Sequence, residues 1–137
     1  MNDLHWAIRD FFNGFANVTV SPPRSIPAIL EGEIIRGIDG TPTNMTLPRI
    51  VYEYSSQQWG GEKIYNARIY SRMALDIVVT VLEQFENRVK PHGYIIPTSK
   101  GRVLMRFKDA RPIPAMETGD PVITGGIMQY TLVDLRT

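Results

Sequence analysis

The stretch from Met73 to Lys90, MALDIVVTVLEQFENRVK, constrains this chain more than any other. At 100° per residue, Ala74, Ile77, Val78, Val81, Leu82, Phe85 and Val89 fall on one broad apolar face. Asp76, Thr80, Glu83, Gln84 and Asn87 fall opposite, and only Arg88 intrudes on the apolar side. The β-branched run Ile77-Val78-Val79-Thr80-Val81 also suits a buried strand. A strand of nearly twenty residues is far beyond the usual length, and period 2 fails where period 3.6 holds, so the spacing predicts a helix. Pro91 cannot continue it and Gly93 follows, so pattern and punctuation stop together. At about 1.5 Å per residue the helix is about 27 Å long, enough to cover one face of a small sheet.

The other periodic segments supply a second helix and several strands. Leu4, Ile8, Phe11 and Phe12 recur at helical spacing, Asn2 can cap and Gly14 suits the residue past the end, giving a helix over Asp3–Asn13. His5 and Trp6 sit off its stripe, and Trp6 reads as a partly buried helix edge rather than an interface anchor. Asn17 to Val20 reads as a short strand that Ser21-Pro22-Pro23 ends. Leu47 to Ser55 alternates, with Ile50, Tyr52 and Tyr54 on one face; Lys63 to Arg72 alternates, with Tyr65, Ala67, Ile69 and Ser71 on one face. Tyr94 to Thr98 is a brief extended piece. Arg102 to Lys108 sets Val103, Met105 and Phe107 against Arg102, Leu104, Arg106 and Lys108. Asp109 to Asp120, with Pro112, Pro114 and Gly119, reads as a loop, and Val122 to Leu135 as the last strand. Gly125-Gly126 inside that strand marks a bulge or a close approach of another backbone.

From Arg24 to Thr46 the period disappears. Ala28, Ile29, Leu30, Ile34, Ile35 and Ile38 are too apolar for a solvated linker, so they fold back on the core or face another chain. The expected architecture is a single α+β domain over residues 1–137. It has a mainly antiparallel four- to five-stranded sheet, one long central helix, a short N-terminal helix and an irregular loop at about 24–46.

Composition narrows function mainly by exclusion. A net charge of +1 over 137 residues is not the footprint of a protein that neutralises phosphates for its main task. Cysteine is absent, which removes disulfides, thiolate nucleophiles and sulfur-ligated metals. No apolar run reaches membrane-spanning length, and MNDLHWAIRD lacks the basic-then-apolar order of a signal peptide. The sequons at Asn17 and Asn44 therefore read as chance.

No catalytic constellation assembles. His5 and His92 lie on different elements, and His92 in Pro91-His92-Gly93 reads as a solvated turn residue. No phosphate loop and no nucleophile elbow is present. Glu31 with Glu33, and Glu117 with Asp120, are spaced to share a cation but read as solvated loop acids. No enzymatic activity, metal or cofactor is expected. Lys100, Arg102, Arg106, Lys108 and Arg111 cluster on one strand and its flanks. Without interleaved aromatics they suit edge protection or an acidic protein partner better than DNA, and Arg102, Arg106 and Lys108 are the candidate partner-facing set.

The segments LHWAIRDFF, LPRIVYEYS and YNARIYSRMALDIVVTVLEQFENRV, with the closing RVLMRFKDARPIPAMETGDPVITGGIMQYTLVDL, together resemble the tail terminator (tail-to-head joining) proteins of long-tailed bacteriophages. The likeness lies in the order of elements over most of the chain, and the Arg24–Thr46 loop departs from it. It implies a structural virion protein at the neck, assembled in the host cytoplasm. Such proteins form a ring, typically of six copies, that caps the tail tube. Its partners would be further copies of itself, the tail tube protein and the head-side connector or stopper. DNA would only pass through the lumen, and no membrane is involved. Ile34, Ile35, Ile38 and Trp59 are the candidate contacts between copies, with packing inside one subunit as the alternative for each. Another neck, head-completion or tail-tube subunit is the second functional class, and a small enzyme or metal-binding domain the third.

Overall fold

The computed structural model describes residues 3–18, 21–30, 48–53, 64–72, 75–98, 101–113 and 123–134. In chain order these form α1 (Asp3–Asn13), β1 (Ala16–Asn17), β2 (Arg24–Ser25), β3 (Ala28–Leu30), β4 (Arg49–Tyr52) and β5 (Tyr65–Arg72). There follow α2 (Leu75–Val89), β6 (Tyr94–Thr98), β7 (Gly101–Ile113) and β8 (Ile123–Asp134). Strands β3-β4-β5-β8-β7-β6 make one six-stranded sheet, and β1 with β2 makes a separate two-stranded one.

This overturns the expected mainly antiparallel sheet of four to five strands. The large sheet is mixed, because β3 runs parallel to β4 with Ile29 opposite Val51, and only α2 is long enough to be called central. The extra strands come from the stretch that was expected to be irregular. Ile26 N–H donates to Phe15 O at 3.0 Å and Ile50 N–H to Pro27 O at 3.0 Å. Ala28 N–H donates to Asn13 Oδ1 at 3.0 Å. Partners this remote in sequence, on strands of two and three residues, leave no local period to read. Ile26 and Ile29 are buried, so this part of the segment folds back on its own subunit.

α1 touches both outermost strands, β3 and β6, so the sheet curls until each edge reaches the same helix. Phe12 of α1 stacks on Tyr52 of β4 with centroids 5.4 Å apart, and Phe11 meets Tyr94 of β6 at 4.7 Å. α2 lies over β5, β8 and β7 and buries Val78, Val81, Leu82, Phe85 and Val89. Each such side chain contributes about 1.5–3 kcal/mol relative to exposure. Gly93 ends the helical segment: its N–H returns to Val89 O at 2.8 Å with φ at +76°, a conformation costly for other residues.

Two departures from the simple apolar stripe are explained by contacts. Arg88, the intruder, lays its guanidinium over the Phe15 ring at 4.7 Å and donates to Gly14 O at 2.9 Å. The carboxamide of Gln84 hydrogen-bonds the backbone of Ala16 in β1. At Gly126, a Cβ would come within 2.8 Å of Val78 Cγ1 and 3.1 Å of Leu82 Cδ1, so the glycine pair marks neither a bulge nor a close backbone but a place where side chains of the helix press on the strand.

The bulge falls in β7 instead, at Lys108 between Phe107 and Asp109. Strict alternation from Val103, Met105 and Phe107 would bring Asp109 and Arg111 inward. The extra residue turns Ala110, opposite Met128, to the core and leaves Asp109 and Arg111 outside. β7 runs on through Ile113, so the expected loop from Asp109 begins later. Pro112 is tolerated because β6 pairs with β7 only as far as Met105, which leaves the later part of β7 at an edge.

Candidate interaction surfaces

β7 alternates inside against outside, and its outside is where the basic residues lie. Val103 and Met105 are buried in the core, which directs Arg102, Leu104 and Arg106 to the face opposite the helices. Arg102, Arg106, Lys108 and Arg111 are all exposed. Leu104 stands between Arg102 and Arg106, so these two are about 13 Å apart rather than in an unbroken 7 Å row. Arg102 lies opposite Pro97 of β6, on the half of β7 away from its open edge.

The edge half of β7 is blunted in three ways: the Lys108 bulge, Pro112, and the charges of Arg106 and Arg111. Each discourages a foreign strand from adding there. Among the described residues, the outer face of β6 to β8 carries exposed aliphatic and basic side chains and is the candidate surface for a partner. Across that face Ile95, Leu104 and Val133 form one row over β6, β7 and β8. Ile95 is 43% exposed and Leu104 and Val133 are half-buried. On β5 to β8 the outward charged side chains among the described residues are Arg68, Arg102, Arg106, Lys108 and Arg111 against Asp109. Arg111 Nε meets Asp109 Oδ2 at 3.1 Å, a surface pair worth little in water.

The opposite surface is the outer side of α2, and its polarity is reversed. Leu75, Asp76, Val79, Glu83, Glu86 and Asn87 share an arc of about 120°. Leu75 is 52% and Val79 38% exposed. Lys90 joins this stripe but is paired with Glu86 at 2.9 Å. Sequence reasoning missed this surface, although the signal was present: Leu75 and Val79 are aliphatics that the helical projection leaves off the buried face.

Ile34, Ile35, Ile38 and Trp59, the expected contacts between copies, lie outside the described residues, as do Glu31, Glu33, Glu117 and Asp120. The histidines are not brought together. His5 Nε2 is 3.2 Å from the Tyr52 hydroxyl, and that hydroxyl accepts from Arg9 Nε at 3.0 Å. His92 lies at the turn after α2, beside a depression of about 390 Å³ that Lys90, Leu104, Arg106 and Phe107 also line. Among the described residues no group of three or more His, Asp or Glu is placed to hold a metal, and no helix is long and apolar enough to cross a membrane.

One ionisable group is strongly perturbed. Tyr130 is fully buried, stacks on Tyr65 with centroids 5.7 Å apart, and donates to Glu53 O at 2.7 Å. Burial, with the Glu53 charge second, holds its hydroxyl well above the ordinary tyrosine value. This is a neutral structural hydrogen bond inside an aromatic cluster rather than an activated acid or base. Comparison of the chain with protein families, with curated proteins and with solved structures finds no match.

Proposed function

We propose that this chain is a ring-forming structural subunit of a tailed phage, most specifically a tail terminator that caps the tail tube and presents its other surface to the head connector. One observation carries the oligomeric part: of the exposed aliphatics, which also include Val18 and Ile64, Leu75 and Val79 on α2 and Ile95 on the far face of the sheet lie on two opposed surfaces. A subunit with two different, opposed patches associates head to tail, and such contacts close into a ring when the rotation permits. The specific virion role comes from the resemblance of element order, in which a strand leads directly into the long helix and a long hairpin closes the chain. Polar groups engaged in packing, such as the Tyr52 and Tyr130 hydroxyls, fit a chain that joins rather than reacts.

Electron microscopy and sedimentation of the purified protein test this. Closed rings of uniform copy number that bind tail-tube ends are expected. Long filaments would indicate a tube subunit instead, since the same head-to-tail contact propagates when its rotation does not close. A strict monomer at high concentration that ignores tube ends would sink the proposal.

A further inference from the structure

The two opposed surfaces match each other in charge and in spacing. On the sheet, Leu104 sits in the apolar row Ile95–Leu104–Val133, with Arg102 and Arg106 on either side of it about 13 Å apart. On α2, Val79 is bracketed along the helix by Asp76 and Glu83, seven residues and so about 10 Å apart. The difference of a few ångströms lies well within the reach of an arginine side chain. Arg102, Arg106, Asp76 and Glu83 are exposed and carry opposite signs on opposite surfaces.

We infer that the outer stripe of α2 in one copy seats on the Ile95–Leu104–Val133 row of the next, with Asp76 and Glu83 against Arg102 and Arg106. The inference rests on the ring-forming function proposed above and names the surfaces that meet. Val79 and Leu75 supply the apolar centre, and the charges form a rim that favours helix against sheet over contact of either surface with the same surface of another copy, in which like charges would face. Because the two patches lie on opposite sides of one sheet, no copy can satisfy both against itself or by a two-fold dimer; each contact leaves another pair of patches open.

Two measurements on the full chain test this. Arg102→Glu with Arg106→Glu is expected to weaken self-association about tenfold or more, as is Asp76→Arg with Glu83→Arg. Combining all four changes is expected to restore it, because the complementarity is reversed and not lost. The chain has no cysteine, so Val79→Cys with Leu104→Cys gives a clean cross-linking pair. Those positions face away from each other within one subunit, so oxidation is expected to give a ladder of oligomers, whereas either single cysteine stops at a dimer. Oligomers that persist in the charge variants, with no ladder from the cysteine pair, would overturn this interface while leaving ring formation standing. A monomeric wild type with no ladder overturns both. A ladder together with the charge rescue establishes the contact, and circular dichroism on each variant separates loss of assembly from loss of fold.

Discussion

The side chain of Gln84 takes the place of a neighbouring strand for Ala16. Its Oε1 accepts from Ala16 N–H at 3.2 Å and its Nε2 donates to Ala16 O at 2.8 Å. β1 is only two residues long and pairs with β2 on one side, so the carboxamide satisfies both backbone groups on the other. Gln84→Ala is expected to lower stability by about 1–2 kcal/mol by leaving a part-buried donor and acceptor unmet. Urea unfolding checks this: the midpoint should fall with the slope unchanged. A midpoint equal to wild type would mean that water replaces the clamp at no cost.

At Gly126 the limit is space. A methyl group there would press on Val78 Cγ1 at 2.8 Å and Leu82 Cδ1 at 3.1 Å, both on α2. Gly126→Ala is expected to cost about 1–3 kcal/mol by overpacking. Adding Val78→Ala should recover part of the loss, so the two changes are non-additive in a double-mutant cycle. Strict additivity would show that the helix shifts freely away from β8.

The bulge in β7 gives a contrast between two deletions. Removing Lys108 leaves Phe107 opposite Tyr130 and Asp109 opposite Gln129, the register already present, so the variant is expected to fold with a modest loss. Removing Ala110 instead carries Asp109 into the inward position opposite Met128, which is fully buried. An unpaired carboxylate there is expected to cost about 3 kcal/mol or more. Thermal unfolding of both variants decides the matter, and equal losses would refute the assignment of the two faces.

Alkaline pH should act through Tyr130. Its folded-state pKa lies above that of the unfolded chain, so the unfolded state loses its proton first as pH rises. The stability linked to this group is therefore fully present below about pH 10 and declines above it. Tyr130→Phe removes the hydroxyl that donates to Glu53 O and is expected to cost about 1–2 kcal/mol at pH 7. Its deficit against wild type should narrow as pH rises beyond 10, measured as denaturant midpoints across pH 7 to 11. A gap that stays constant would mean that the hydroxyl does not stay protonated in the folded state.

Where local period was long, the order of residues in the chain carried the element with it. The stripe from Val78 to Val89 marks α2, the spacing of Ile8, Phe11 and Phe12 marks α1, and the alternation of Tyr65, Ala67, Ile69 and Ser71 marks the buried face of β5. These patterns are readable because each helix or strand buries one continuous face, and burial imposes period 3.6 or 2 on apolar residues. The candidate surface is half legible: Arg102, Arg106 and Lys108 stand out as a basic strand, whereas Asp76 and Glu83 mark only the polar side of α2, and the exposed Leu75 and Val79 beside them do not stand out.

Tertiary structure alone decided the rest. β3 is three residues long and acquires its strand character from Val51 and its neighbours, far along the chain, so the parallel pairing that makes the sheet mixed has no local imprint. The same holds for the bulge at Lys108, which exists because Ala110 must meet Met128 and Asp109 must not. Gln84 and Arg88 look like surface or misplaced residues until Ala16 and Gly14 arrive beside them. Period records which side of an element is buried; it does not record which element comes to rest against it, because that is settled by contacts between residues distant in sequence.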